Sequence, residues 1–234
     1  GPGITDDGNG ETYSFDPSTA GAGVHTITYT FTDGNSCTNS AMDDVEVFAL
    51  PTYTVGGTDP SSCGGSDGSL TISGLEANTD YILSYEDDGT SVGPTNVTSN
   101  ASGEVSLTGL NAGSYTNIIL EDGNGCSGTA VSATLSDPAT PTVSFTAPAD
   151  LCVDAGVQTG LGGGTPMGGV YSGPGITDDG NGETYSFDPS AAGAGVHTIT
   201  YTYTDGNSCT NSAMDDVEVF ALPTVSFTAP ADLC

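Results

Sequence analysis

The chain contains no lysine, no arginine and no tryptophan, and only two histidines, against 30 aspartates and glutamates. Nucleic acid and anionic membrane surfaces are held by cationic side chains that neutralise phosphate, so neither is an expected partner. The missing lysines also remove Schiff-base chemistry, P-loop phosphate binding and Lys–Asn isopeptide cross-links. No apolar run approaches the ~18 residues of a membrane-spanning helix, so no membrane insertion is expected. No 3.6-residue periodicity is present anywhere. The formal net charge is −30, yet only 13% of the 234 residues are charged. Such a chain is polar without being a disordered polyelectrolyte, and its alternating apolar positions argue for folded strands.

What the sequence does contain is itself, twice. Residues 1–52 recur at 173–224 with only Thr19 becoming Ala191 and Phe31 becoming Tyr203. TVSFTAPADLC at 142–152 recurs at 224–234, which fixes a period of 82 residues. Self-similarity at a fixed spacing marks an array of structural units. Four parts follow: residues 1–50 as the C-terminal part of one module, 51–141 as a different module, 142–223 as a complete copy, and 224–234 as the first strand of a further one. There is no initiator Met and no signal or sorting segment, and the stretch is expected to be a window on a much longer chain. The competing expectation, that strand 224–234 of one molecule completes residues 1–52 of another, leaves the counterpart of 153–172 unsupplied.

The six cysteines fall at matched places. Cys152 and Cys209 bracket the complete module, Cys63 and Cys126 bracket the intervening one, Cys37 matches Cys209, and Cys234 matches Cys152. This regularity favours an oxidising, extracellular setting and predicts disulfides Cys63–Cys126 and Cys152–Cys209. No CxxC pair exists, which argues against zinc.

Strand patterning is clearest in residues 196–209, where His197, Ile199, Tyr201 and Tyr203 alternate with Thr198, Thr200, Thr202 and Thr204. One face is core and the other is threonine. Aligning Asp122 with Asp205 places Ile118 and Leu120 at the positions of Tyr201 and Tyr203, so both module types share a closing strand pair. Short strands broken by Gly, Asn, Asp and Pro turns predict an all-β fold of tandem Ig-like Greek-key β-sandwiches. The linkers, FALPT at 48–52 and 220–224 and LSDPATPT at 135–142, carry proline, which restricts the backbone and predicts an extended, semi-rigid rod.

Residues 162–209 resemble the tandem Ig-like, PKD-like repeats of giant secreted surface proteins of the Bacteroidota. CGGSDGSLTISGL at 63–75 and LNAGSYTNIILEDGNGC at 110–126 resemble the SprB repeat, named for a gliding-motility adhesin. The resemblance implies export by the type IX pathway and a role as filament or adhesin.

Several motifs invite chemistry. Gly64-Gly65-Ser66-Asp67-Gly68 matches G-x-S-x-G, but a nucleophile elbow needs a strand-to-helix turn and a histidine, and this module has no histidine. His25 and His197 are one repeat position seen twice, on the apolar side of a strand, and read as packed core residues. Asp87 and Asp88 pair carboxylates without a cleft to hold a substrate. The loop holding Asp178, Asp179, Asn181 and Glu183, with its copy Asp6, Asp7, Asn9 and Glu11, gathers oxygens of the kind Ca²⁺ takes, although the same residues also suit turns. Asp205 to Asn207, near Asp215 and Asp216, is a lesser candidate of the same kind. The threonine face reads as a solvated strand surface, and the sequons at Asn96 and Asn100 carry little weight.

These residues lead to a non-enzymatic, extracellular structural stalk: a segment of a large adhesive filament serving adhesion, gliding or prey capture, with possible structural Ca²⁺. Its expected partners are further modules of its own chain, other copies in bundles, and a surface ligand at a distant tip. The alternative is a module that itself binds glycan or another surface ligand.

Overall fold

The computed structural model describes residues 1–230; Cys234 and the end of the expected strand 224–234 lie outside the described residues. The described residues are all-β apart from two single-turn helices, and the chain divides into two compact units. The first comprises Gly1–Pro60 and Ser66–Ser136. The second comprises Ser61–Gly65 and the chain from Asp137 onward.

In the first unit, residues 1–50 form β1 (Ile4–Asp6), β2 (Tyr13–Phe15), helix α1 (Pro17–Ala20), β3 (Gly23–Thr32) and β4 (Thr38–Val47). β1 pairs with β2, and β3 with β4, each as a separate antiparallel pair. The intervening module follows with β5 (Thr54–Thr58), β6 (Gly68–Ser73), β7 (Asp80–Asp87), β8 (Thr90–Thr98), β9 (Glu104–Leu110), β10 (Gly113–Glu121) and β11 (Val131–Leu135). Its sheets, β5-β6-β9 and β11-β10-β7-β8, enclose Leu70, Ile72, Leu83, Ile118 and Leu120. Strict alternation makes this possible: in β6, Leu70 and Ile72 are buried while Ser69, Thr71 and Ser73 are not. Asn117 has φ +49 and marks a bulge in β10. The Tyr53 hydroxyl bridges it, donating to Ile118 O and accepting from Leu120 N. Near the start of β10, the Tyr115 hydroxyl donates back to Asn111 O at 2.9 Å, the arrangement of the tyrosine corner in Ig-type sandwiches.

The second unit contains β12 (Leu151–Cys152), β13 (Gln158–Leu161), β14 (Val170–Ser172), β15 (Ile176–Asp178), β16 (Tyr185–Phe187), helix α2 (Pro189–Ala192), β17 (Gly195–Thr204) and β18 (Thr210–Phe220). Sheet β12-β18-β17-β14 faces sheet β13-β16-β15 across a core rich in aromatic rings. Tyr171 lies between Tyr185 and Tyr201, with ring centroids 4.4 and 4.6 Å away. The glycines of residues 162–169 let backbone close over these rings: a Cβ on Gly164 would stand 2.6 Å from Tyr201 ring atoms. Tyr201 completes the closure with its hydroxyl, which donates to Pro166 O and accepts from Gly169 N.

The two helical turns are too short to show the 3.6-residue periodicity that the sequence lacks. Their signal lay in the Asp-Pro-Ser sequence: Asp caps, and Pro suits the first helical position. Asp16 accepts from the amides of Ser18 and Thr19, and Asp188 from those of Ser190 and Ala191.

Candidate functional site

The acidic turns before β2 and β16 fold around their own side chains. Asp178 Oδ1 accepts from Gly180 N at 2.8 Å, and its Oδ2 accepts from Tyr171 N at 2.6 Å. Asn181 Oδ1 accepts from both Glu183 N and Thr184 N, while Asp179 Oδ2 accepts from the Thr184 hydroxyl. The copy repeats this: Asp6 accepts from Gly8 N, Asn9 from Glu11 N and Thr12 N, and Asp7 from the Thr12 hydroxyl. The structure thus brings the expected calcium ligands into one turn, where one oxygen each of Asp178, Asp179 and Asn181 accepts from that turn's N–H and O–H groups. Among the described residues, no group of three or more His, Cys, Asp or Glu side chains is placed to share a metal ion. Asp205 behaves alike, holding the amides of Asn207 and Cys209.

The cysteines pair otherwise than expected. Cys63 is bonded to Cys209, and Cys126 and Cys152 are free, as is Cys37. Bracketing a module in sequence puts two cysteines at opposite poles of its sandwich. Cys209 precedes the first residue of β18, whereas Cys152 pairs with Phe220 at the far end of that 11-residue strand. The separation is about 36 Å at ~3.3 Å per residue, far beyond disulfide reach. The same holds in the intervening module. Pro60, from which the chain leaves toward Cys63, lies by Leu135 at the Gly113 end of β10, while Cys126 follows the Glu121 end. Cys63 is instead delivered to the β17–β18 turn, where its amide donates to Asn207 O at 2.9 Å and Gly64 N donates to Asp137 Oδ1 at 3.1 Å.

His197 is half-buried, and its Nε2 lies 2.7 Å from Gly193 O just past α2; His25 makes the same contact with Gly21 O. Both act as internal ties. The threonine face of β17–β18 is a ladder of cross-strand hydroxyl pairs, Thr202 with Ser212 and Thr204 with Thr210, and Thr198 donates to Asp216. Residues 64–68 run as a loop into β6. No helix among the described residues is long and apolar enough to cross a membrane.

Tyr185 and Asp16 carry the largest shifts in acidity. The Tyr185 phenol is pushed up to about 12, first by burial and then by Tyr171, and its hydroxyl has no hydrogen-bond partner among the described residues. Asp16 is lowered to about 2, first by the Ser18 hydroxyl and next by that of Thr19. Asp188 is lowered too, but Ala191 replaces Thr19 and one of those hydroxyls is gone. Because both folded values lie below the ordinary carboxylate value, these caps contribute above it and fade as pH falls through the folded value.

As expected of residues that lack the counterpart of 142–172, an apolar face is open on residues 1–50. Tyr13, Phe15, Ile27, Tyr29 and Val45 border an open cavity of about 410 Å³.

No family model matches the chain, and no curated protein matches it in sequence. Among solved structures it is similar to a Ca²⁺-stabilised adhesin that helps an Antarctic bacterium bind ice, with 18% identity, TM-score 0.31, and coverage of 85% of this chain and 56% of that one. A 1.5-MDa bacterial ice-binding adhesin matches at 15% identity and TM-score 0.33, covering 91% of this chain and 79% of that one. The fibronectin(III)-like modules of Clostridium thermocellum CbhA match at 16% identity and TM-score 0.28, covering 75% and 100%. The chain spans little more than half the length of the first.

Proposed function

We propose that this chain is a load-bearing stalk segment of a large extracellular adhesive filament on a bacterial surface, of the kind used for adhesion, gliding or prey capture. The observation that carries this reading is the parallel pairing of β12 with β18. With the Cys63–Cys209 bond closed, tension at the chain ends passes from Cys63 to Cys209 and into β18, past residues 64–208. With that bond opened, tension entering before β12 and leaving after β18 pulls these strands along their length in opposite directions. All the bonds between them then bear load together rather than opening one at a time. Three bonds reinforce the pair: Val153 N donates to Phe220 O, Glu218 N to Asp150 Oδ1, and Ala147 N to Asp215 Oδ2. Near-identical repeats suit a mechanical part that works by number, and a disulfide that survives implies an oxidising exterior.

On this reading calcium acts on the acidic surface as a counter-ion, screening self-repulsion, rather than through a built cage. Pulling single molecules by their ends, with the Cys63–Cys209 bond reduced so that force reaches β12, tests the proposal. Val153→Pro removes one N–H donor from the β12–β18 pair without touching the β17–β18 hairpin. The second unit should then unfold at clearly lower force; an unchanged force contradicts the load-bearing role.

A further inference from the structure

The loop Ser61–Gly65 lies between β5 and β6 in sequence but belongs to the second unit. Three segments of that unit meet at its bridge. Cys63 N donates to Asn207 O at 2.9 Å, Gly64 N donates to Asp137 Oδ1 at 3.1 Å, and Pro138 O lies 3.5 Å from the sulfur of each bonded cysteine. The two sulfurs are not equally open: Cys209 is fully buried, whereas Cys63 is half-buried. The charged groups that touch this place are carboxylates, Asp137 on Gly64 and Asp205 on the Cys209 amide, and the chain has no Lys or Arg to offset them. The bond spans a separation of 146 residues and encloses every strand from β6 to β17. The length that the chain can reach under tension therefore hangs on one covalent bond.

We propose that the Cys63–Cys209 bond is a thiol-operated release that sets how far the chain lengthens under load, and that its reactant is a small thiol carrying no negative charge besides the thiolate. The thiolate attacks Sγ of Cys63, the sulfur that solvent reaches, and an S–S bond to the reagent forms as the bond to Cys209 breaks. The Cys209 sulfur leaves as a thiolate and takes a proton from water, and as S–H it faces Pro138 O. A second thiol of the reagent displaces Cys63 from the mixed disulfide. The protein thus gains two electrons and two protons, and the reagent departs as its own disulfide. Residues 64–208 then enter the path of the tension. The Cys63 and Gly64 amide bonds hold the loop in place while the S–S bond is open and the chain is slack, so the reagent's disulfide closes it again by the reverse exchange. Charge selects the reactant, because an anionic thiol is repelled by the carboxylates at the bridge and a cationic one is drawn to them. The inference adds control to the stalk reading and rests on it for its purpose. Its readouts depend on the bond alone, so it fails separately from the force change expected of Val153→Pro.

Two measurements on the whole chain, with its free thiols alkylated, test it. Brief treatment with cysteamine, an acid quench and peptide mapping should find the reagent on Cys63; a reagent adduct on Cys209 overturns the proposed attack. Single molecules are then held by their ends at a force that fully extends Cys209→Ser. Added cysteamine should lengthen the chain by about 500 Å, at ~3.4 Å per residue over the bridged 146 residues. Mercaptoethanesulfonate at equal thiolate concentration and low salt should act roughly tenfold more slowly, and salt should narrow that gap. Full extension before any thiol is added, or no lengthening after cysteamine, overturns the release. Equal rates for the two thiols overturn the choice of reactant.

Discussion

Tyr29 and Tyr201 hold the same position in the same strand, and each faces an alanine, Ala41 or Ala213, across the hairpin. One is 56% exposed and the other is sealed. Around them the two copies share ten matched register pairs in β3–β4 and β17–β18, the same histidine tie, the same aspartate cap and the same hydroxyl pairs. What differs is residues 142–172, which bring Phe145, Tyr171 and the glycine-rich cover to one copy only. Turns, caps and register are thus local properties of the repeat. The core is not: it requires chain from outside the repeated 50 residues. Hairpins with one unpacked apolar face are marginal in water, so residues 1–50 taken without such chain should be weaker than the second unit.

Matched substitutions sharpen the contrast. Tyr201→Ala empties the centre of the aromatic core and removes both hydroxyl bonds, and should cost the second unit about 3–5 kcal/mol. Tyr29→Ala, in dilute solution, should change stability by less than about 0.5 kcal/mol. Denaturant titration of the two variants measures both; equal losses would break the comparison. The cysteines give a smaller effect of the same form. Cys209→Ser removes the bond to Cys63 and should destabilise the second unit by about 2–4 kcal/mol, whereas Cys37→Ser, at the same repeat position, should leave its midpoint unmoved.

Much of this architecture was legible in the residues. The alternation in 196–204 named the buried face of β17 correctly, and the Asp122–Asp205 alignment placed Ile118 and Leu120 in a core where both are found. The helical turns escaped because one turn has no periodicity to read, only a cap. The disulfide escaped for a different reason. Sequence shows which cysteines are equivalent, but their partners depend on which pole of a sandwich each loop reaches, and the loop carrying Cys63 reaches the β17–β18 turn. The acidic loops looked like ligand sets because turn-forming and cation-binding residues are the same types. Only hydrogen-bond geometry separates the two uses.

Amide exchange followed by mass spectrometry tests the central claim most directly, because Phe31 and Tyr203 give otherwise matching peptides of β3 and β17 distinct masses. In dilute solution, the amides of β17 should exchange far more slowly than those of β3, despite a shared sequence and shared cross-strand pairing. Equal protection in the two strands would mean that the hairpin sustains itself, and would contradict the account that residues 142–172 make the core.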